Sequence, residues 1–87
     1  MYKKEVILKN ESGLHARPAS VFVKEVGKYK SDINIIKDDQ SYNGKSIMSI
    51  LSMGASKGTK LTIAAEGEDE KEAVLFIKNL IENGLQD

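Results

Sequence analysis

Gly13-Leu14-His15-Ala16-Arg17-Pro18-Ala19-Ser20 is the stretch on which the reading of this 87-residue chain turns. Before it, the segment Glu5 to Lys9 alternates around Val6 and Leu8, as a half-buried strand does. After it, Ala19, Phe22, Val23, Val26 and Tyr29 recur at helical spacing and form a buried stripe, with Gly27 near its end. The octet is thus a strand-to-helix turn. It places His15 at the N-cap and Ala16, Arg17 and Pro18 in the first turn, where a proline is tolerated because amides there have no intrahelical partner.

The same alternation returns downstream. Asp32 to Lys37 carries Ile33 and Ile35 on one face, Asp38-Asp39 turns tightly into a short strand Gln40 to Asn43, and Thr59 to Glu66 points Leu61, Ile63 and Ala65 inward. Ser46 is followed by Ile47, Met48, Ile50, Leu51 and Met53 and then by Gly54, which predicts a short helix with a serine N-cap and a glycine stop, Ile50 facing inward. Ser56-Lys57-Gly58 reads as a turn. Asp69 and Glu72 have capping-box spacing ahead of a last helix lined by Ala73, Ile77, Leu80 and Ile81 and closed by Gly84. The order β-α-β-β-α-β-α predicts an α+β open-faced sandwich: a four-stranded antiparallel sheet with three helices on one face. Gly44 and Gly27 are expected to loosen the loops near them.

Composition narrows the function. No repeat, linker or low-complexity segment divides the chain, so residues 1–87 are read as a single domain. Without cysteine there is neither a disulfide framework nor a thiolate metal site, and a lone histidine cannot fill a coordination shell, so no metal or cofactor is expected. Thirteen basic residues balance thirteen acidic ones and the lysines are dispersed, which argues against nucleic acid as a partner. No long apolar run suggests a signal peptide or membrane insertion, and the expected location is cytoplasmic.

The chemistry concentrates in the octet, which holds the chain's only histidine, arginine and proline. A helix start presents unpaired N–H groups and a positive dipole end; together with a guanidinium these favour an anion beside a nucleophilic imidazole, the requirement of phosphoryl transfer. The helix end contributes about 0.3–2 kcal/mol, and a charge-assisted hydrogen bond roughly 1.5–3 kcal/mol. Such modest terms suit a carrier that must release its cargo. Spacing alone leaves open that His15 merely caps the helix and Arg17 is merely solvated. An independent phosphatase or kinase has little support, because Gly54 to Gly58 lacks the lysine-serine arrangement of a P-loop. The acidic run Glu66, Glu68, Asp69, Glu70 and Glu72 is accounted for by capping and solvation.

The octet closely resembles the active-site motif of the HPr family, the histidine phosphocarriers of the bacterial phosphoenolpyruvate-dependent sugar phosphotransferase system. The likeness continues through Lys45-Ser46-Ile47-Met48, Leu51-Ser52-Met53-Gly54, Lys57-Gly58 and the strand Leu61 to Glu66, in the same order and at similar intervals, over essentially the whole chain. The resemblance implies a monomeric, stoichiometric carrier and not an enzyme with its own turnover. His15 would accept phosphate on Nδ1 from phosphorylated enzyme I and pass it to the IIA component of a sugar permease. Arg17 would steady it, with the Ala16 and Arg17 helix start as its cradle. Ser20 and Lys24, with Ile47, Met48 and Leu51, would form the docking patch.

Ser46 has a structural role as N-cap, worth about 1 kcal/mol. A phosphate there adds roughly −1.5 to −2 charges to a surface that partners must recognise. In family members of Gram-positive type the matching serine is phosphorylated by a dedicated HPr kinase/phosphorylase, and the product acts with the catabolite control repressor. The alternative implied by the resemblance is a regulatory paralogue acting mainly through its phosphoserine. Those paralogues lack the active-site histidine. A nitrogen-related branch of the same system is a further variant, separable by partner preference.

Overall fold

The computed structural model describes residues 1–11 and 13–85. Gln86 and Asp87, which the single-domain expectation includes, lie outside the described residues. The elements run β1 (Tyr2–Ile7), α1 (Ala16–Val26), β2 (Asp32–Lys37), β3 (Gln40–Asn43), α2 (Ile47–Met53), β4 (Lys60–Glu66) and α3 (Glu70–Asn79), with a π-helical turn Leu80–Gly84 extending α3. The strands form one antiparallel sheet in the order β1-β4-β2-β3. This is the α+β open-faced sandwich that the sequence pattern predicts, with three helices against one side.

Alternation and register explain the core. Pairing Val6 with Leu61 and Ile35 with Ile63 puts these apolar side chains on one face, where Phe22 and Val26 of α1, Ile50 of α2 and Ile77 of α3 close over them, all essentially buried. Side chains of this size each contribute about 1.5–3 kcal/mol on burial. Val23, Tyr29 and Leu80 pack partly buried at the margin of that core, and Val74 joins it fully.

Three local expectations are corrected. β1 spans residues 2–7, not 5–9, because Tyr2 through Ile7 pair with Ala65 through Lys60 although Lys3, Lys4 and Glu5 are exposed. An edge strand needs only backbone partners there, and charge on it blocks further strand addition. The Asp69–Glu72 capping box does not form. The Asp69 carboxylate instead accepts the N–H groups of Lys30 and Ser31, each at 2.9 Å, and the buried Ser31 hydroxyl, tying the start of α3 to the turn before β2. Glu70 takes the capping role, its Oε1 accepting the Gly67 N–H at 3.1 Å. Gly44 does not loosen its loop: it is buried and donates to the Ile33 carbonyl at 2.8 Å, and a Cβ there would lie 2.9 Å from Ile33 Cγ2. Gly27 likewise continues the helical bonding, donating to the Val23 carbonyl at 2.9 Å.

β4 begins at Lys60, one residue after Thr59, and the last helix keeps α geometry only to Asn79, the π-helical turn carrying it on to Gly84; other boundaries follow their signals. Asp38 and Asp39 both adopt positive φ, 51° and 66°, which lets a two-residue turn follow the twist of β2 and β3. Gly54 ends α2 in the left-handed conformation, φ 65°.

Candidate functional site

His15 is the N-cap residue of α1, in extended conformation, and its carbonyl accepts the Ala19 N–H at 2.8 Å. The imidazole is exposed and makes no capping bond. Capping by backbone alone leaves the ring nitrogens uncommitted. Among the described residues, the N–H groups of Ala16 and Arg17 donate to no partner, and Pro18, buried at the third helical position, has none to donate. Two free amides therefore open at the positive end of the helix, in the two residues that follow His15.

The turn that presents His15 is built on the segment after α2. Leu14 donates to the Ala55 carbonyl at 3.0 Å, while Gly13 and Asn10 hold the preceding loop together through Asn10 Nδ2 to the Gly13 carbonyl at 2.6 Å and Gly13 N–H to the Asn10 carbonyl at 3.1 Å. Gly13 has φ 63° and sits so close to the Ala55 carbonyl and to Ser56 Cα that no Cβ fits. A bonded platform thus fixes the approach of the chain to its helix. Gly58 N–H to the Leu8 carbonyl (2.8 Å) and Leu8 N–H to the Thr59 carbonyl (2.9 Å) fasten the far side of that platform to the end of β1.

Leu14, His15 and Ala16 line one side of an open depression of about 230 Å³, and Leu51, Gly54 and Ala55 the other. Sequence reasoning gave Gly54 only the role of a stop and Ala55 none. The glycine signal was present, but the contact with residues some forty positions earlier was not readable from spacing.

The remaining candidates divide by position. Arg17 is exposed and forms no ion pair with any described residue. Ala16, Ser20 and Lys24 follow at intervals of four along one exposed face of α1, with Ser20 Oγ donating to the Ala16 carbonyl at 2.9 Å. α2 packs beside α1 and exposes Met48, 73% accessible, and Leu51, while Ile47 is half-buried and Ile50 fully enclosed. Met48 is the most accessible of the large apolar side chains on the helices among the described residues. Ser46 caps α2: its Oγ accepts the Ser49 N–H at 3.2 Å and is half-buried. Its neighbour Lys45 is directed elsewhere, donating to the Tyr29 carbonyl at 2.7 Å.

Among the described residues no group of three or more His, Asp or Glu side chains could hold a metal ion. No helix among them is long and apolar enough to cross a membrane.

Comparison with known proteins gives a consistent picture. The family model described as PTS HPr component phosphorylation site matches residues 2–83. Phosphocarrier protein HPr of Borreliella burgdorferi is 48% identical over 83 residues, 95% of this chain and 96% of that protein. The HPr-like protein Crh of Bacillus subtilis is 43% identical over 74 residues, 85% of this chain and 87% of its own. Among solved structures, HPr-C-His from Thermoanaerobacter tengcongensis superposes with a TM-score of 0.94 at 44% identity, covering 98% of this chain and 96% of that one.

Proposed function

Since the chain belongs to the HPr family of the phosphotransferase system, we propose that His15 is its phosphoryl-carrying residue, loaded by phosphorylated enzyme I and unloaded by the IIA components of sugar permeases. The observation that carries this reading is the exposed, uncapped imidazole of His15 at the N-cap of a helix whose first two amides, those of Ala16 and Arg17, have no partner among the described residues. In loading, the Nδ1 lone pair attacks phosphorus, the N–P bond forms, and the electron pair of the broken bond returns to the donor. Unloading repeats the exchange with His15 as leaving group. The dianion on His15 is held by the Ala16 and Arg17 N–H groups and the Arg17 guanidinium, none of which is spent on another described residue.

The chain turns over nothing by itself; it is a stoichiometric carrier, acting in the cytoplasm as a monomer of one domain. Partners meet it on Ser20 and Lys24 of α1 and on Ile47, Met48 and Leu51 of α2. The accessibility of Met48 and Leu51 supports that face, since flexible thioether surfaces adapt to more than one partner.

Ser46 serves as a regulatory phosphorylation site for an HPr kinase/phosphorylase, with the catabolite control repressor as reader of the product. Its position beside Ile47 and Met48 supports this, because charge placed there alters the docking face directly. The similarity to Crh proteins favours a second reading, a regulatory paralogue acting through phosphoserine. The presence of His15 weighs for the carrier.

The test is incubation with phosphoenolpyruvate and enzyme I and, in a parallel sample, with ATP and an HPr kinase/phosphorylase. Acid-labile phosphate on His15 in the first, passed on to a IIA protein, is expected; acid-stable label on Ser46 in the second with no histidine labelling in the first favours the paralogue instead.

A further inference from the structure

We propose that Met48 is a reversible oxidation site: its exposed thioether takes an oxygen atom from a peroxide, and the sulfoxide so formed weakens transfer from enzyme I. The selectivity of the oxidation stands on exposure alone, whereas its effect on transfer rests on the docking role proposed for α2.

The chain has three methionines and no cysteine, so its thioethers are the side chains that a mild peroxide oxidises reversibly. Exposure separates them. Met48 stands 73% accessible near the start of α2, whereas Met53, at the end of the same helix, is 3% accessible and packs in the core. Met1 is the other exposed methionine, 69% accessible. Leu51 lies one turn on from Met48 and is exposed beside it, while Ile50 is fully enclosed. The sulfur of Met48 is thus open to a small oxidant, and any polar atom added to it enters an apolar surface.

In the step, a lone pair of the Met48 sulfur attacks one oxygen of hydrogen peroxide. The S–O bond forms as the O–O bond breaks, the departing hydroxide takes the proton left on the transferred oxygen, and water is released; sulfur is oxidised by two electrons and the peroxide reduced by the same two. The product is a polar, chiral side chain in place of a flexible apolar one. Because Met48 lies outside the core, the fold keeps its packing. A partner that dehydrates this face must instead bury the sulfoxide oxygen against apolar surface, which is unfavourable for a polar group without a hydrogen-bond donor. No net charge is added, so the effect falls on docking and leaves the chemistry at His15 unchanged.

The test treats the full chain with hydrogen peroxide, locates the added oxygen by peptide mass spectrometry, and then measures phosphorylation by enzyme I and phosphoenolpyruvate. Met48 should gain oxygen roughly tenfold faster than Met53, or more. The KM for transfer from enzyme I should rise about tenfold with kcat little changed, and methionine sulfoxide reductases with a thiol reductant should restore it. In Met48→Leu, whatever its own starting KM, peroxide should move KM no further although Met1 still oxidises. Met53 oxidised as fast as Met48, an unchanged KM after full oxidation of Met48, or an equal peroxide effect in Met48→Leu overturns the proposal. Met48→Asp separates that outcome from a failure of the docking reading: an unchanged KM there as well overturns the docking role of Met48, whereas a raised KM beside an inert sulfoxide overturns the oxidation proposal alone. Untreated wild type that enzyme I does not label overturns the carrier reading.

Discussion

Leu14 hydrogen-bonds through its N–H to the carbonyl of Ala55 at 3.0 Å, one residue before the imidazole that the site depends on. The contact joins the start of α1 to the segment following α2, and Gly13 makes it possible by lying where a Cβ would strike the Ala55 carbonyl and Ser56 Cα. Gly13→Ala should therefore separate the two segments. The left-handed backbone alone costs a non-glycine residue about 1–2 kcal/mol, and the clash adds to it. Urea unfolding checks the loss, and a slower labelling of His15 in the folded fraction checks the displacement.

The tie between Asp69 and the turn before β2 makes stability depend on pH in a known direction. The Ser31 hydroxyl first, and then the Lys30 N–H, hold the Asp69 carboxyl at about 2, below its ordinary value of 3.8. A carboxylate lowered on folding contributes its stabilisation fully above the unfolded value and loses it as pH falls through the folded one. The urea midpoint should thus drop between about pH 4 and pH 2, and Asp69→Asn should lower the midpoint at neutral pH and flatten that drop. Glu70, lowered by the Gly67 N–H, adds in the same sense.

At the β2–β3 turn, Asp38 and Asp39 both occupy the left-handed region. Asp39→Gly should relieve the steric cost at the second position and stabilise the protein by about 0.5–1 kcal/mol, part of the gain being offset by the freedom glycine adds to the unfolded chain. Thermal unfolding reads this as a rise in Tm.

Ser46→Ala removes the acceptor of the Ser49 N–H and should cost about 1 kcal/mol. Ser46→Asp keeps a capping oxygen and adds a charge beside Ile47 and Met48. It should retain most of the stability while weakening transfer from enzyme I, measured as a raised KM.

Much of this molecule was legible before its coordinates. The stripe Ala19, Phe22, Val26 and the alternation of Leu61, Ile63 and Ala65 announce burial through period alone, and all six are enclosed. Ser46 and Gly54 bound α2 as their side-chain chemistry requires. The first half of β1 was hidden because an edge strand draws on backbone partners that a Lys-Lys-Glu pattern does not advertise. Asp69 was misassigned for a related reason: capping-box spacing is local, whereas its actual partners, Lys30 and Ser31, are brought to it by the sheet. At the site, the turn and its helix were readable from His15 to Pro18, but the platform of Ala55 and the depression at Gly54 arise from segments some forty residues apart.

The most direct test of the central claim is a heteronuclear NMR spectrum of the chain before and after phosphorylation by enzyme I and phosphoenolpyruvate. The expected result is phosphate on His15 Nδ1 with the largest amide shifts at Ala16 and Arg17, the two donors left free at the start of α1. Phosphate elsewhere, or on His15 with those two amides unmoved, would contradict it.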